Sequence, residues 1–271
     1  MHVSFRSSCA VVGVALLLTT SVGLAGCNTA LTPANLGTAL GLAVTGNWQF
    51  ASTAAAASKL PMISGELTGN TSAISGILHS DSASACIPPT QAFEVSGAAN
   101  PDGVVTLTGA NVAGGKLTLT GTLAVDGKSL TNASYTVVGG SCALPQAVSA
   151  QAQQYSPING TYTGSFSDSD GRVITLSASL TQAPNSDTDG NFQLSGTGTF
   201  PNNPCFNSPV TMTNTQVTGG NFTFTYTDPT TQNNVVTNGT LSTDGKTLTV
   251  TGWTLTGSCG PDSGTGLLTQ Q

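Results

Sequence analysis

Gly121-Thr-Leu-Ala-Val-Asp126-Gly127-Lys128-Ser-Leu130-Thr131 returns further along the chain as Gly239-Thr-Leu-Ser-Thr-Asp244-Gly245-Lys246-Thr-Leu248-Thr249. Each copy continues through an aromatic residue, Tyr135 or Trp253, to a Gly-Ser-Cys that ends at Cys142 or Cys259. Upstream, Cys86 and Cys205 sit in matching Pro-rich segments, and Gly46-Asn-Trp48 and Gly160-Thr-Tyr162 open the two copies. The offset stays between 114 and 119 residues throughout, so one duplication accounts for every match. The chain therefore reads as two homologous domains, over residues 44–142 and 158–268. The Ala- and Gln-rich stretch 143–157 is expected to be a linker between them.

Within each copy the apolar residues recur with period two. Phe222-Thr-Phe224-Thr-Tyr226 sets three aromatics on one face of a strand and threonines on the other, and Val173 to Leu180 and Val104 to Thr108 follow suit. Asp102-Gly103, Asp126-Gly127, Asp170-Gly171, Asp189-Gly190 and Asp244-Gly245 supply the chemistry of tight hairpins. Seven or eight short strands per copy at near-regular spacing predict an all-β chain of two tandem antiparallel meanders. Each meander closes into a small barrel or folds into a sandwich. One irregularity favours the barrel. Leu248 and Val250 share a parity that Trp253 and Leu255 do not, and Leu130 disagrees in the same way with Tyr135 and Val137. A strand cannot change its buried face without an extra residue, so bulges are predicted near Gly252 and Ser134.

The chain has 271 residues, and only 7% of them are charged. Thr, Ser, Gly and Asn dominate, a strand-and-turn composition. All twelve acidic residues follow Cys27, against five basic ones scattered singly, so nothing forms the basic stripe that phosphates require. Nucleic acid is not an expected partner.

At the N-terminus Arg6 precedes the apolar run Val11 to Leu18, and Leu24-Ala25-Gly26-Cys27 follows. Thr19, Thr20 and Ser21 interrupt the run before it reaches the roughly 20 residues of a membrane-spanning helix. Leu24 to Cys27 resembles the lipobox of bacterial lipoproteins. That resemblance implies a signal peptide over residues 1–26, a diacylglycerol on Cys27, and a membrane as partner through the anchor. Asn28, rather than Asp, points to the outer membrane, and residues 27–43 read as a tether.

With Cys9 discarded in the signal and Cys27 lipidated, four cysteines remain, which allow three pairings. A unit copied whole carries its bridge with it, which selects Cys86–Cys142 and Cys205–Cys259. Zinc is disfavoured, because there is no Cys-x-x-Cys and His79 is the only histidine after the signal. Disulfides suit an oxidising extracytoplasmic setting.

Residues able to carry catalysis are few. No Gly-x-Ser-x-Gly surrounds any serine, and His79 is expected on an exposed strand face. Glu66 and Glu94, the only glutamates, are expected as surface strand residues rather than a glycosidase pair. Asp168 and Asp170, and Asp187 and Asp189, form two Asp-x-Asp-Gly turns that could offer oxygens to calcium. They flank one strand, so they should lie at opposite ends of the sheet and serve as hairpin turns. Trp48 and Trp253 each align with a tyrosine of the other copy, which points to the core rather than to glycan platforms.

Gly46-x-Trp48 opening the first strand, followed by a meander with tight hairpins, resembles the lipocalin-like and avidin-like small barrels. The resemblance covers pattern only, since copy two has Gly160-x-Tyr162, and it carries over no ligand residue. The expected function is a non-catalytic, lipid-anchored module of the cell envelope, structural or binding a small ligand or glycan, with no cofactor. The alternative is an envelope hydrolase, for example glycan-acting. A ligand carrier should show an apolar interior cavity of a few hundred Å³. An enzyme should show acids clustered in a cleft.

Overall fold

The structure is a computed structural model that describes residues 41–53, 61–80, 87, 91–201, 203–206 and 209–271. It contains sixteen antiparallel strands in two closed barrels, each an uninterrupted up-and-down meander. The first barrel runs β1 (Gly46–Ser52), β2 (Ile63–Asn70), β3 (Ala73–Ser80), β4 (Phe93–Ala99), β5 (Val104–Val112), β6 (Gly115–Leu123), β7 (Ser129–Gly139) and β8 (Leu144–Tyr155). The second runs β9 (Asn159–Asp168), β10 (Val173–Gln182), β11 (Phe192–Thr199), β12 (Val210–Thr218), β13 (Asn221–Thr227), β14 (Asn234–Leu241), β15 (Thr247–Thr256) and β16 (Asp262–Gln270). Closure removes the free edges that an open sheet would present.

The period-two pattern is realised directly. Phe222, Phe224 and Tyr226 point into the second barrel while the intervening threonines face outward. The turns form because Asp side chains stand in for backbone: Asp126 Oδ1 accepts the Lys128 N–H at 2.9 Å, and Asp244 Oδ1 the Lys246 N–H at 3.0 Å. The following glycines, Gly127 and Gly245, take φ of 71° and 73°, which a Cβ would disfavour. Both parity switches are bulges. The β15 register shifts between Val250 and Trp253, leaving Leu248, Val250, Trp253 and Leu255 all buried. In β7 it shifts between Leu130 and Ser134, with Asn132 at φ 52°.

The expected linker is a correction. Residues 144–155 form β8, which pairs with β1 from Asn47↔Tyr155 to Ser52↔Ala150 and closes the first barrel. Ala152 faces inward at 1% exposure and glutamines face the other way. Closure demands an eighth strand, and alanine is apolar enough to line it. The first domain therefore extends to Tyr155, and only a few residues separate it from β9.

Copy one is filled mainly by Leu, Ile and Val around Trp48, Phe50 and Tyr135. Copy two is filled by aromatics, with Phe222–Phe224 and Phe224–Tyr226 ring centroids 5.0 and 5.1 Å apart. Each such side chain contributes about 1.5–3 kcal/mol by leaving water. The Cys205–Cys259 disulfide pins the loop after β11 to the end of β15, with 5.8 Å between Cα atoms. Cys142 is also disulfide-bonded. Its expected partner, Cys86, lies outside the described residues, as do Cys27 and the whole anchor segment.

Candidate functional site

No core residue of either barrel is more than 8% exposed. Trp48 and Trp253 belong to those cores, at 1% and 3%. The Trp48 indole donates to Val44 O at 2.7 Å, and the Tyr162 hydroxyl, its counterpart, to Gly245 O at 2.6 Å. Burial raises the Tyr162 pKa, and burial pushes that of Tyr135 up to about 12. These aromatics fasten the barrels shut.

The chemistry lies instead where the barrels meet. The outward face of β1–β3 carries Asn47, Gln49, Ser64, Glu66, Ile77 and His79, and two hairpin turns of the second barrel sit on it. Asn47 behaves like a strand neighbour of the β12–β13 turn: its Nδ2 donates to Gly219 O at 2.8 Å and its Oδ1 accepts the Gly219 N–H at 2.6 Å. Gln49 Oε1 accepts the Tyr155 hydroxyl at 3.1 Å. Under the β10–β11 turn, Glu66 Oε2 accepts from the Ser186 N–H at 3.0 Å and its hydroxyl at 2.7 Å. The His79 Nδ1 lies 2.7 Å from Asp189 O; a carbonyl can only accept, so Nδ1 holds the proton. Gly190 permits this approach, since a Cβ there would stand 2.7 Å from Ile77 O, and its φ is 83°.

Two expectations are corrected here. Glu66 and His79, read as exposed strand residues, are 7% and 8% exposed because the second barrel covers them. Nothing in the sequence of one strand reports that its polar face will be roofed by another domain. Glu94 is exposed, as expected. Glu66, Ile77 and Glu94 share one register row across β2, β3 and β4, which puts the glutamate Cα atoms about 9–10 Å apart on one sheet face. Both line an open groove of 1110 Å³ on the first barrel, together with Lys116. They stand side by side on that face rather than on opposing walls, and Glu66 spends one oxygen holding Ser186.

The acidic turns lie at opposite ends of β10, as the sequence predicts. Asp168 is buried; burial alone would raise its carboxyl pKa, but hydrogen bonds from the Arg172 backbone and guanidinium and from the Asp170 N–H hold it below the usual range. Arg172 reaches Asp262 as well, at 3.1 Å. Asp187 accepts from the N–H groups of Asp189 and Asn191, both at 2.9 Å, and from the Gln193 amide at 3.0 Å. Both carboxylates are thus occupied in shaping their own turns. Among the described residues no three His, Cys, Asp or Glu side chains gather as metal ligands.

A second groove, of 630 Å³, opens at the junction itself. His79 and Met62 of the first barrel form one wall, and the outward faces of β12–β15 form the other. Gln216, Thr223 and Asn238 lie in a single register row across β12, β13 and β14, with Thr251 of β15 at its edge. Ligand sites favour domain interfaces and span a few hundred to a thousand Å³, which this groove satisfies. No sequence motif marks it. Its residues are ordinary strand threonines and amides until two barrels bring them together. Comparison with protein-family models, with curated proteins and with solved structures finds no match for the chain.

Proposed function

We propose that this protein is a lipid-anchored, extracytoplasmic module that binds without catalysis and works through its outer surface. The observation that carries this reading is the packing of both barrels: among the described residues their inward side chains bury one another, and the two large grooves lie on the outer surface. A pair of closed barrels fixed to each other, preceded in sequence by an anchor signal, suits a display role at a membrane. Leu24-Ala25-Gly26-Cys27 supplies the anchor, and two acyl chains or more hold a protein durably at a bilayer. The outer membrane is the destination that Asn28 suggests.

Metabolic labelling with a palmitate analogue tests the anchor. The full-length protein should incorporate label and sediment with membranes. Cys27→Ala should lose the label and appear in the soluble extracytoplasmic fraction. Label retained by Cys27→Ala would end the proposal.

A further inference from the structure

We infer that the groove between the barrels is a binding site for a neutral, extended oligosaccharide; this rests on the reading of the protein as a non-catalytic binding module. The argument begins with the lining. Among the described residues of the lining, amides and hydroxyls predominate, Asp189 is the only carboxylate, and neither Lys nor Arg contributes. An anionic ligand would meet Asp189 and neither Lys nor Arg among these residues, whereas a polyol meets groups that both donate and accept.

The lining is also ordered. The Thr223 hydroxyl donates to Asn238 Oδ1 at 2.9 Å, and the Thr218 hydroxyl donates to Asn191 Oδ1. Each hydroxyl occupies its amide's oxygen, which leaves the NH2 group to donate. The side chain of Gln216 is exposed and makes no hydrogen bond among the described residues, so its amide is available whole. Gln216, Thr223 and Asn238 repeat at the strand spacing of about 4.8 Å. That spacing is close to the advance of one ring along an extended glycan, so successive sugars meet successive polar groups. Met62 offers apolar contact for the C–H faces of the rings. The barrels hold the walls in place before any ligand arrives, which lowers the ordering cost of binding.

The test uses full-length protein purified in detergent, titrated calorimetrically with cellotetraose, with the N-acetylglucosamine tetramer, and with tetragalacturonate as an anionic control. At least one neutral tetramer should bind saturably, with Kd at or below about 1 mM. Tetragalacturonate should bind at least about tenfold more weakly. Asn238→Ala should weaken the neutral ligand about tenfold, and Thr251→Trp, which adds bulk to an exposed position at the rim, should abolish binding. Should Asn238→Ala also lower the melting temperature, Gln216→Ala and Thr251→Trp decide the matter. Absence of saturable binding by both neutral tetramers, or wild-type affinity in the groove variants, overturns the inference. If Cys27 carries lipid and neither tetramer binds, the glycan inference falls and the anchored reading stands. If a tetramer binds and Cys27 is unlabelled, the reverse holds.

Discussion

Tyr135 and Tyr226 show how unequally the two copies settle the same problem. Both phenols are buried in a barrel core. The Tyr135 hydroxyl donates to Pro61 O at 2.7 Å, whereas the Tyr226 hydroxyl has no partner among the described residues. Among the described residues Thr237 Oγ1 and Trp253 Nε1 are also buried without partners in the same barrel, directly opposite each other on β14 and β15. A buried polar group left unsatisfied costs about 1–3 kcal/mol, while a satisfied one contributes about 1. Tyr226→Phe should therefore stabilise the protein by about 1 kcal/mol and Tyr135→Phe destabilise it by a similar amount. Urea unfolding at neutral pH measures both, and equal signs would refute the account. A further consequence concerns alkali. The Tyr135 pKa stands at about 12, above its ordinary value of 10.0. Its contribution is intact below pH 10 and is lost as pH climbs toward 12, because the unfolded chain releases the proton first. Tyr135→Phe should remove that part of the alkaline decline.

At the scale of strands and turns, the Asp-Gly hairpins are where local chemistry decides structure. Hydrogen bonds to its carboxylate depress Asp168 below the usual range, so its stabilising effect is present above about pH 4 and is lost as pH falls further. Asp168→Asn should lower the melting temperature at pH 7 and make its fall between pH 5 and 3 shallower. A thermal series across that range checks both. Elements of this kind were legible: repeated Asp-Gly pairs, alternating aromatics and a parity switch gave the strands, turns and bulges. β8 was not, because Val148, Ala150 and Ala152 alternate with Ser149, Gln151 and Gln153 too weakly for a hydrophobic period to show. The groove was less legible still. Gln216 and Asn238 look like any outward strand residue, and their neighbourhood exists only after strands far apart in sequence pair.

For the molecule as a whole, the junction decides whether there is one body or two. The β10–β11 turn reaches Ile77 and His79 only because Gly190 lacks a side chain. Gly190→Ala adds a Cβ at positive φ and against a backbone carbonyl, which should cost at least about 1 kcal/mol. Since the strain falls on the contact and not on either core, the barrels should separate before they unfold. Small-angle scattering should then report a larger radius of gyration with strand content unchanged. A variant as compact as the parent would place the strength of the junction elsewhere, at Asn47 and Gly219.

That junction joins two homologous units head to tail, with hairpins of the second resting on the flank of the first. Contacts of this kind need not close on themselves and can repeat without limit, making fibres. The registers of the two barrels superpose residue for residue here: Asn47, Gln49, Ser64, Glu66, Ile77 and His79 correspond to Thr161, Thr163, Ser177, Ser179, Thr197 and Thr199. The first barrel's flank carries long amides, a carboxylate, an imidazole and an isoleucine that grip a visiting hairpin. The second barrel's flank carries short hydroxyls alone, most of them open to water. A third unit arriving there would find nothing to hold. The second copy thus terminates the series that the first begins, and substitution of five side chains, Ser64 and Ser177 being alike, keeps a self-adhesive duplication from becoming a polymer.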